Sequence, residues 1–282
     1  MKKRIRFITY FILALAALLI WIPLWMMVTG SFTDATEMGE NIGSVLGLGG
    51  GLATFPILPS YPTLQPYIEL LLDSPKFFVM FWNSCFQVIP TILGQLLVGV
   101  PAAWSFARFT FKGKRILFIL YIILMIMPFQ VTMVSSYLVL NKFKIMDSHL
   151  AIILPGIFST FPVFIMVKFF KAIPEELIEA AKLDGAGDFN TFIKIGIPLG
   201  NSGIISAVVL SYLENWNAIE QPLTFLRDKS KWPLSLYLPQ ISADRVGVAF
   251  VASVIMMLPA LLIFLSGQTY LEQGIVASGI KQ

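Results

Sequence analysis

FITYFILALAALLIWIPLWMMVT, residues 7–29, runs for 23 residues without a charge and follows the basic cluster Lys2, Lys3, Arg4 and Arg6. An α-helix rises about 1.5 Å per residue, so about 20 apolar residues cross the hydrocarbon core of a bilayer. The run therefore reads as a spanning helix. A cleaved secretory leader would carry a shorter apolar region and a small-x-small cleavage site, and none follows Trp21 and Trp25.

Outward from this run the same composition recurs. Of the 282 residues, 57% are hydrophobic and 13% charged, against roughly a quarter charged in a soluble domain. Five more apolar stretches follow, at about 77–106, 116–140, 150–170, 200–219 and 246–266. The fold expected is all-α, a polytopic bundle of six transmembrane helices, with Pro90, Pro101, Pro128, Pro155 and Pro162 as candidate bends. Between the spans lie an outer loop at 30–76, a polar connection at 171–199 and a tail at 267–282. The outer loop is irregular by composition, with a Gly-rich part at 39–51 and then Pro56, Pro59, Pro62 and Pro66.

Charge sets the expected orientation. With both ends inside, 13 of the 20 Lys and Arg face the cytoplasm and 10 of the 16 Asp and Glu face out, the sign that the positive-inside rule demands. Lys142 and Lys144 in a short outer loop dissent. The net charge of +4 is too small and dispersed for a nucleic-acid surface. Single Cys85 and single His149 exclude an internal disulfide, a cysteine-cluster or His-pair metal site and a set of His-based triads. No HExxH or GxxxxGK[ST] loop occurs, so neither metalloproteolysis nor nucleotide hydrolysis has its parts here. Asn83, Gln87, Gln130, Asn215 and Asn217 are uncharged polar residues at membrane depth. They suit either a hydrophilic translocation path or hydrogen bonds between helices.

The 171–199 connection carries seven charges between 175 and 194. Pro174 at a helix start, with Glu175 and Glu176 in the first turn, suits the missing amide hydrogen and the helix dipole. Leu177, Ala180, Ala181 and Asp184 fall on one face at i, i+3, i+4 and i+7, and Gly185 is positioned to end the helix as a left-handed cap. Asp188 is placed to cap a second short helix that stops before Pro198. A helix with alanines on its apolar face suits docking into a groove of another protein; its acidic rim disfavours resting on the negative inner leaflet.

At these residues the chain resembles the membrane-spanning subunit of a bacterial ABC importer. The resemblance rests on Glu179-Ala180-Ala181, then Gly185, then Ile195-Gly196-Ile197-Pro198-Leu199, which follow the EAA-loop pattern between spans four and five. It extends to Pro59 through Leu64, Asn83-Ser84, Ser105 through Phe109, Phe111 through Lys114, Trp216-Asn217, Gln273-Gly274 and Ser278 through Lys281, and it points to the maltose-permease type of carbohydrate importer. The insert at 43–51 and the terminal Gln282 depart from the pattern.

The resemblance implies a bacterial inner-membrane, multi-pass subunit with both termini cytoplasmic, which itself is not an enzyme and binds no cofactor. Its implied partners are a second permease subunit, two ATPase subunits that hold ATP and Mg, and an extracytoplasmic binding protein that delivers a sugar. Glu179, Ala180, Ala181, Asp184 and Gly185 would form the joint with an ATPase, Gln273, Gly274 and Gly279 would reach between the ATPases, and the 221–244 loop would touch the binding protein. Rival readings are an ABC permease for a non-sugar solute and an ion-coupled carrier that needs no ATPase.

Overall fold

A computed structural model describes residues 2–45, 52–54, 56–238 and 245–279, with side chains between residues 6 and 272. Among the described residues there are helices and turns and no strand. The helices are α1 (Lys2–Gly30), α2 (Ala35–Ile42), α3 (Gln65–Leu71), α4 (Pro75–Arg108), α5 (Lys114–Ile126), α6 (Phe129–Lys142), α7 (Leu150–Ile157), α8 (Thr160–Ala172), α9 (Glu175–Leu183), α10 (Asp188–Thr191), α11 (Ile197–Leu199), α12 (Asn201–Trp216), α13 (Glu220–Phe225) and α14 (Val246–Gly279). Four stretches are long and apolar enough to cross a membrane: Arg6–Gly30, Pro75–Arg108, Leu150–Ala172 and Val246–Glu272. Two bent pairs raise the number to as many as six if each is one span: α5 with α6, bent by 105°, and the Asp188–Leu199 segment with α12, bent by 68°.

The bends differ from those expected. Pro90 and Pro101 lie inside uninterrupted α4. The third span is broken, not continuous, because Pro128 lacks an N–H for the ladder and its ring pushes the preceding residue out of the helical region. Met127 accordingly sits at ψ 121° and Pro128 at ψ 148°. A second break falls at Ser159, in extended geometry between α7 and α8, rather than at Pro155 itself, which stays in α7. The helix that contains span six continues past 266 to Gly279, so most of the expected tail is helical.

The chain divides into two compact units, residues 1–78 with 237–259, and residues 79–236 with 260–282. In the first, the outer loop is more ordered than its composition implies. It contains α2 and α3, the Glu37 carboxylate accepts the Ser60 backbone N–H at 2.8 Å, and Arg245 Nε donates to Glu69 Oε1 at 2.6 Å. Residues 46–51 of the Gly-rich part lie outside the described residues. The apolar residues of α1 from Phe7 to Trp25 are exposed on every face, as lipid-facing residues would be.

The second unit has its main core where α4, α8 and α12 meet, around Trp104, Phe106, Val163, Met166, Phe170 and Ala207. A smaller cluster of Leu140, Ala151, Ile152, Phe225 and Leu226 joins α6, α7 and α13.

Candidate functional site: the 171–199 excursion and its anchor

The 171–199 connection is a helical excursion from the main core. Helix α9 begins after Pro174, carries Glu175 and Glu176 in its first turn and Lys182 in its last, and so matches the helix dipole at both ends. Its C-terminus is a Schellman motif: the Gly185 N–H donates to Lys182 O at 3.0 Å and the Ala186 N–H to Ala181 O at 2.9 Å. Gly185 has φ +79°, and a Cβ there would meet nothing within 4 Å, so backbone conformation and not space demands glycine. Asp188 does not cap the second helix. Gly187 occupies that position, and Asp188 sits in the first turn, 3.8 Å from Lys182.

Only one residue of α9 is buried. Ile178, 4% exposed, packs into the main core, Ala181 is half-buried, and Leu177, Glu179, Ala180 and Asp184 face outward. The apolar face expected from Leu177 to Asp184 is thus mostly uncovered, with Leu177 45% and Leu183 89% exposed. Phe189 beyond the cap is likewise exposed.

The anchor is Arg108, the last residue of α4. Its guanidinium donates to Phe170 O at 2.7 Å, to Ile173 O, and to Glu175 Oε2 at 2.6 Å. The two carbonyls belong to the end of α8 and the linker after it, where helix carbonyls lack intrahelical partners. The Arg108 side chain is 9% exposed and lies over the Trp104 ring, 5.8 Å from its centroid. Trp104 in turn meets Phe170 edge-on at 5.4 Å. The return path crosses the same indole. A π-helical turn, Phe192–Gly196, brings Gly196 so near that a Cβ would lie 2.7 Å from the Trp104 ring. Entry and exit of the excursion therefore meet at Trp104 and Arg108. Both residues carry no site assignment in the sequence-based expectations; Arg108 did belong to the quoted Ser105–Phe109 stretch, and an arginine closing a long apolar helix is the one signal that marks it.

The polar residues named for either a path or hydrogen bonds between helices make the following contacts. Asn83 Nδ2 donates to Ser230 O at 2.6 Å and Trp232 O at 3.1 Å, and Gln87 Nε2 lies 3.0 Å from Lys231 O and 3.1 Å from His149 Nδ1. These two amides clip the 226–236 loop to α4. Gln130 donates to Glu220 at 2.6 Å, while Asn215 and Asn217 each donate to the carbonyl four residues earlier in their own helix. The loop is latched again by Asp147, whose Oδ1 accepts the Arg227 and Asp228 N–H groups at 2.9 Å each, with Lys231 Nζ 3.4 Å from Oδ2. The Asp228 amide chiefly, helped by the Arg227 amide and Lys231, holds the Asp147 carboxyl below its ordinary range against the opposing effect of burial. Gln273, Gly274 and Gly279 lie on the last turns of α14, beyond the residues with described side chains. Among the described residues no group of three His, Cys, Asp or Glu is arranged to hold a metal ion.

The profile of the binding-protein-dependent transport system inner membrane component matches residues 95–277, a range that contains α9, its anchor and its cap. The chain belongs to this family. Members are membrane components of a transport system, and the several apolar helices agree with a multi-pass inner-membrane protein. Among similar relatives are the arabinooligosaccharides transport system permease protein AraQ of Halalkalibacterium halodurans, 26% identical over 92% of this chain and 90% of that protein, and the lactose transport system permease protein LacG of Rhizobium radiobacter, 26% identical over 96% and 95%. A solved bacterial ABC transporter involved in the import of the acidic polysaccharide alginate shares the fold, with a TM-score of 0.78 over 93% of this chain and 95% of that one at 20% identity.

Proposed function

We propose that the chain is the permease subunit of an ATP-driven importer that carries a sugar or oligosaccharide across the inner membrane by alternating access. The observation that carries this reading is the exposure of α9. A helix closed by a C-terminal Schellman cap, rooted through Ile178 and Arg108, and left with Leu177, Ala180 and Leu183 uncovered is built to be gripped from outside. An ATPase subunit is the partner that fits, because closure of an ATPase pair would move a docked helix as a rigid lever. The Arg108 clamp gives that lever two outlets, α4 through its own backbone and α8 through the Phe170 and Ile173 carbonyls.

In this reading ATP and Mg belong to two partner ATPases, a second permease subunit completes the pore, and an extracytoplasmic binding protein delivers the solute. The 171–199 excursion and both termini then lie on the cytoplasmic side, and the 226–236 loop on the other. The named relatives handle saccharides, which favours sugar as the solute.

The test is reconstitution of the complete complex with its binding protein and measurement of ATPase stimulation by a panel of saccharides, amino acids and peptides. Stimulation by a saccharide is expected. Stimulation by amino acids or peptides alone would overturn the sugar assignment, and uptake driven by an ion gradient without ATP would overturn the ATPase coupling.

A further inference from the structure

The turn after α4 and the start of α5 form one wall of a groove of about 690 Å3, whose lining includes Phe106, Phe111, Phe118, Lys114, Arg115 and Lys171. Three cations thus face one space whose other walls are mainly apolar, with three aromatic rings, Ile116, Gly113 and Thr110. None of the ion pairs among the described residues involves any of the three. Sequence explains why: there is no Asp or Glu between residues 74 and 146, and none between 148 and 174. The next acid, Glu175, has its carboxylate on Arg108. Lys114 Nζ donates once, to Phe109 O at 2.7 Å, and Lys171 Nζ lies 5.4 Å from the Phe118 ring centroid, which leaves N–H donors on both ammonium groups.

Like charges against apolar walls repel unless an anion joins them. The first turn of α5, with Gly113 at its N-cap and no side-chain cap, opens on the same groove and adds the positive end of a helix dipole. The rings of Phe106 on α4 and Phe118 on α5, 5.5 Å apart, supply an apolar wall beside the cations. A ligand matching this lining has a compact anionic head and an apolar tail, and the groove stands at the end of a membrane-crossing helix, where headgroups lie.

We propose that this groove is a binding site for one anionic phospholipid, with its phosphate between Lys114, Arg115 and Lys171 and an acyl chain against Phe106 and Phe118. The site requires only that the chain be a membrane component, so it stands or falls independently of the solute and of the ATPase.

The assembled transport complex, extracted in mild detergent from nanodiscs of equimolar phosphatidylcholine and phosphatidylglycerol, is examined for retained lipid by native mass spectrometry. Retention of phosphatidylglycerol over phosphatidylcholine on the order of tenfold is expected. It should fall toward parity in the combined variant Lys114→Gln, Arg115→Gln and Lys171→Gln, and persist in the charge-keeping variant Lys114→Arg, Arg115→Lys and Lys171→Arg. Equal retention of the two lipids by the unmodified complex would overturn the proposal even if no variant can be produced. So would unchanged retention in the glutamine variant, or displacement of the bound lipid by millimolar inorganic phosphate, which would make the groove a site for free phosphate. A glutamine variant that keeps its lipid but loses its ATPase subunits would make it a protein contact instead.

Discussion

Arg108 and Glu175 stand 67 residues apart in sequence and 2.6 Å apart in space, and the same guanidinium caps two carbonyls between them. The two partners are unequal: the arginine side chain is 9% exposed, the glutamate 63%. An exposed ion pair contributes about 0–1 kcal/mol, whereas a buried carbonyl that loses its donor costs about 1–3 kcal/mol. Arg108→Ala is therefore expected to lower the thermal stability of the purified complex and uncouple ATP hydrolysis from uptake, while Glu175→Gln keeps most of both. Arg108→Lys, a single compact ammonium without the guanidinium fork, should fall between them. Equal effects of Arg108→Ala and Glu175→Gln would show that the ion pair, not the carbonyl capping, carries the connection.

Gly185 tests the cap alone. Space is open around it, so Gly185→Ala meets no clash and costs about 1–2 kcal/mol by forcing an L-residue into the left-handed region. Gly185→Asn should cost less, because asparagine tolerates that region. Coupled uptake is expected to rank glycine, asparagine, alanine and then proline, with membrane insertion unchanged in all four. Normal uptake by Gly185→Pro would remove the docked-helix account.

Leu183 separates docking from folding. At 89% exposure it contributes almost nothing to the stability of this chain alone. Leu183→Glu should leave the subunit's own melting temperature within error and reduce co-purification of the ATPase subunits. If the ATPases remain at full stoichiometry, the outward face of α9 is not where they bind.

Gly196 offers a rescue experiment. A methyl group there would press on the Trp104 ring, which cannot yield without disturbing Phe170. Gly196→Ala is expected to destabilise the complex by about 1–3 kcal/mol, the usual cost of overpacking, and Trp104→Leu in the same chain to recover part of that loss. Additive losses in the double variant would place the strain elsewhere.

Asp147 gives the pH dependence of the 226–232 latch. Its carboxyl titrates below the usual carboxylate value of about 4, held there mainly by the Asp228 amide. A lowered folded pKa means that the stabilisation is fully present above that usual value and is lost as pH falls through the lowered one. Protection of the Arg227 and Asp228 amides from hydrogen exchange, relative to the intrinsic rate at each pH, should be high at neutral pH and fall only in acid below about 4. Asp147→Asn, which still tolerates the residue's φ of +56°, should exchange faster at neutral pH and lose the acid dependence.

What could be read from the sequence divides along a physical line. Properties written in adjacent residues were legible: the apolar runs, the acidic first turn of α9 and the left-handed glycine at its end. The break at Pro128 follows from one residue's chemistry, yet apolar periodicity on both sides hides it, since hydropathy has no term for backbone direction. Arg108 was legible as a residue and not as an anchor, because two of its three acceptors are backbone carbonyls, which every sequence supplies everywhere. For the same reason Asn83 and Gln87 suited either a polar path or hydrogen bonding when read from sequence, and only the structure shows their amides on the carbonyls of a loop almost 150 residues away.

The π-helical turn Phe192–Gly196 fits one residue more into its turn than an α-helix would. An ordinary helix transmits a deletion at full strength, rotating everything downstream by about 100° per residue lost. Here the surplus residue is a reserve of sequence length: removing one position from 192–196 and letting the turn relax to α geometry would leave α12 facing its present neighbours. The excursion can thus drift in length by one residue over evolutionary time without turning the span that follows it.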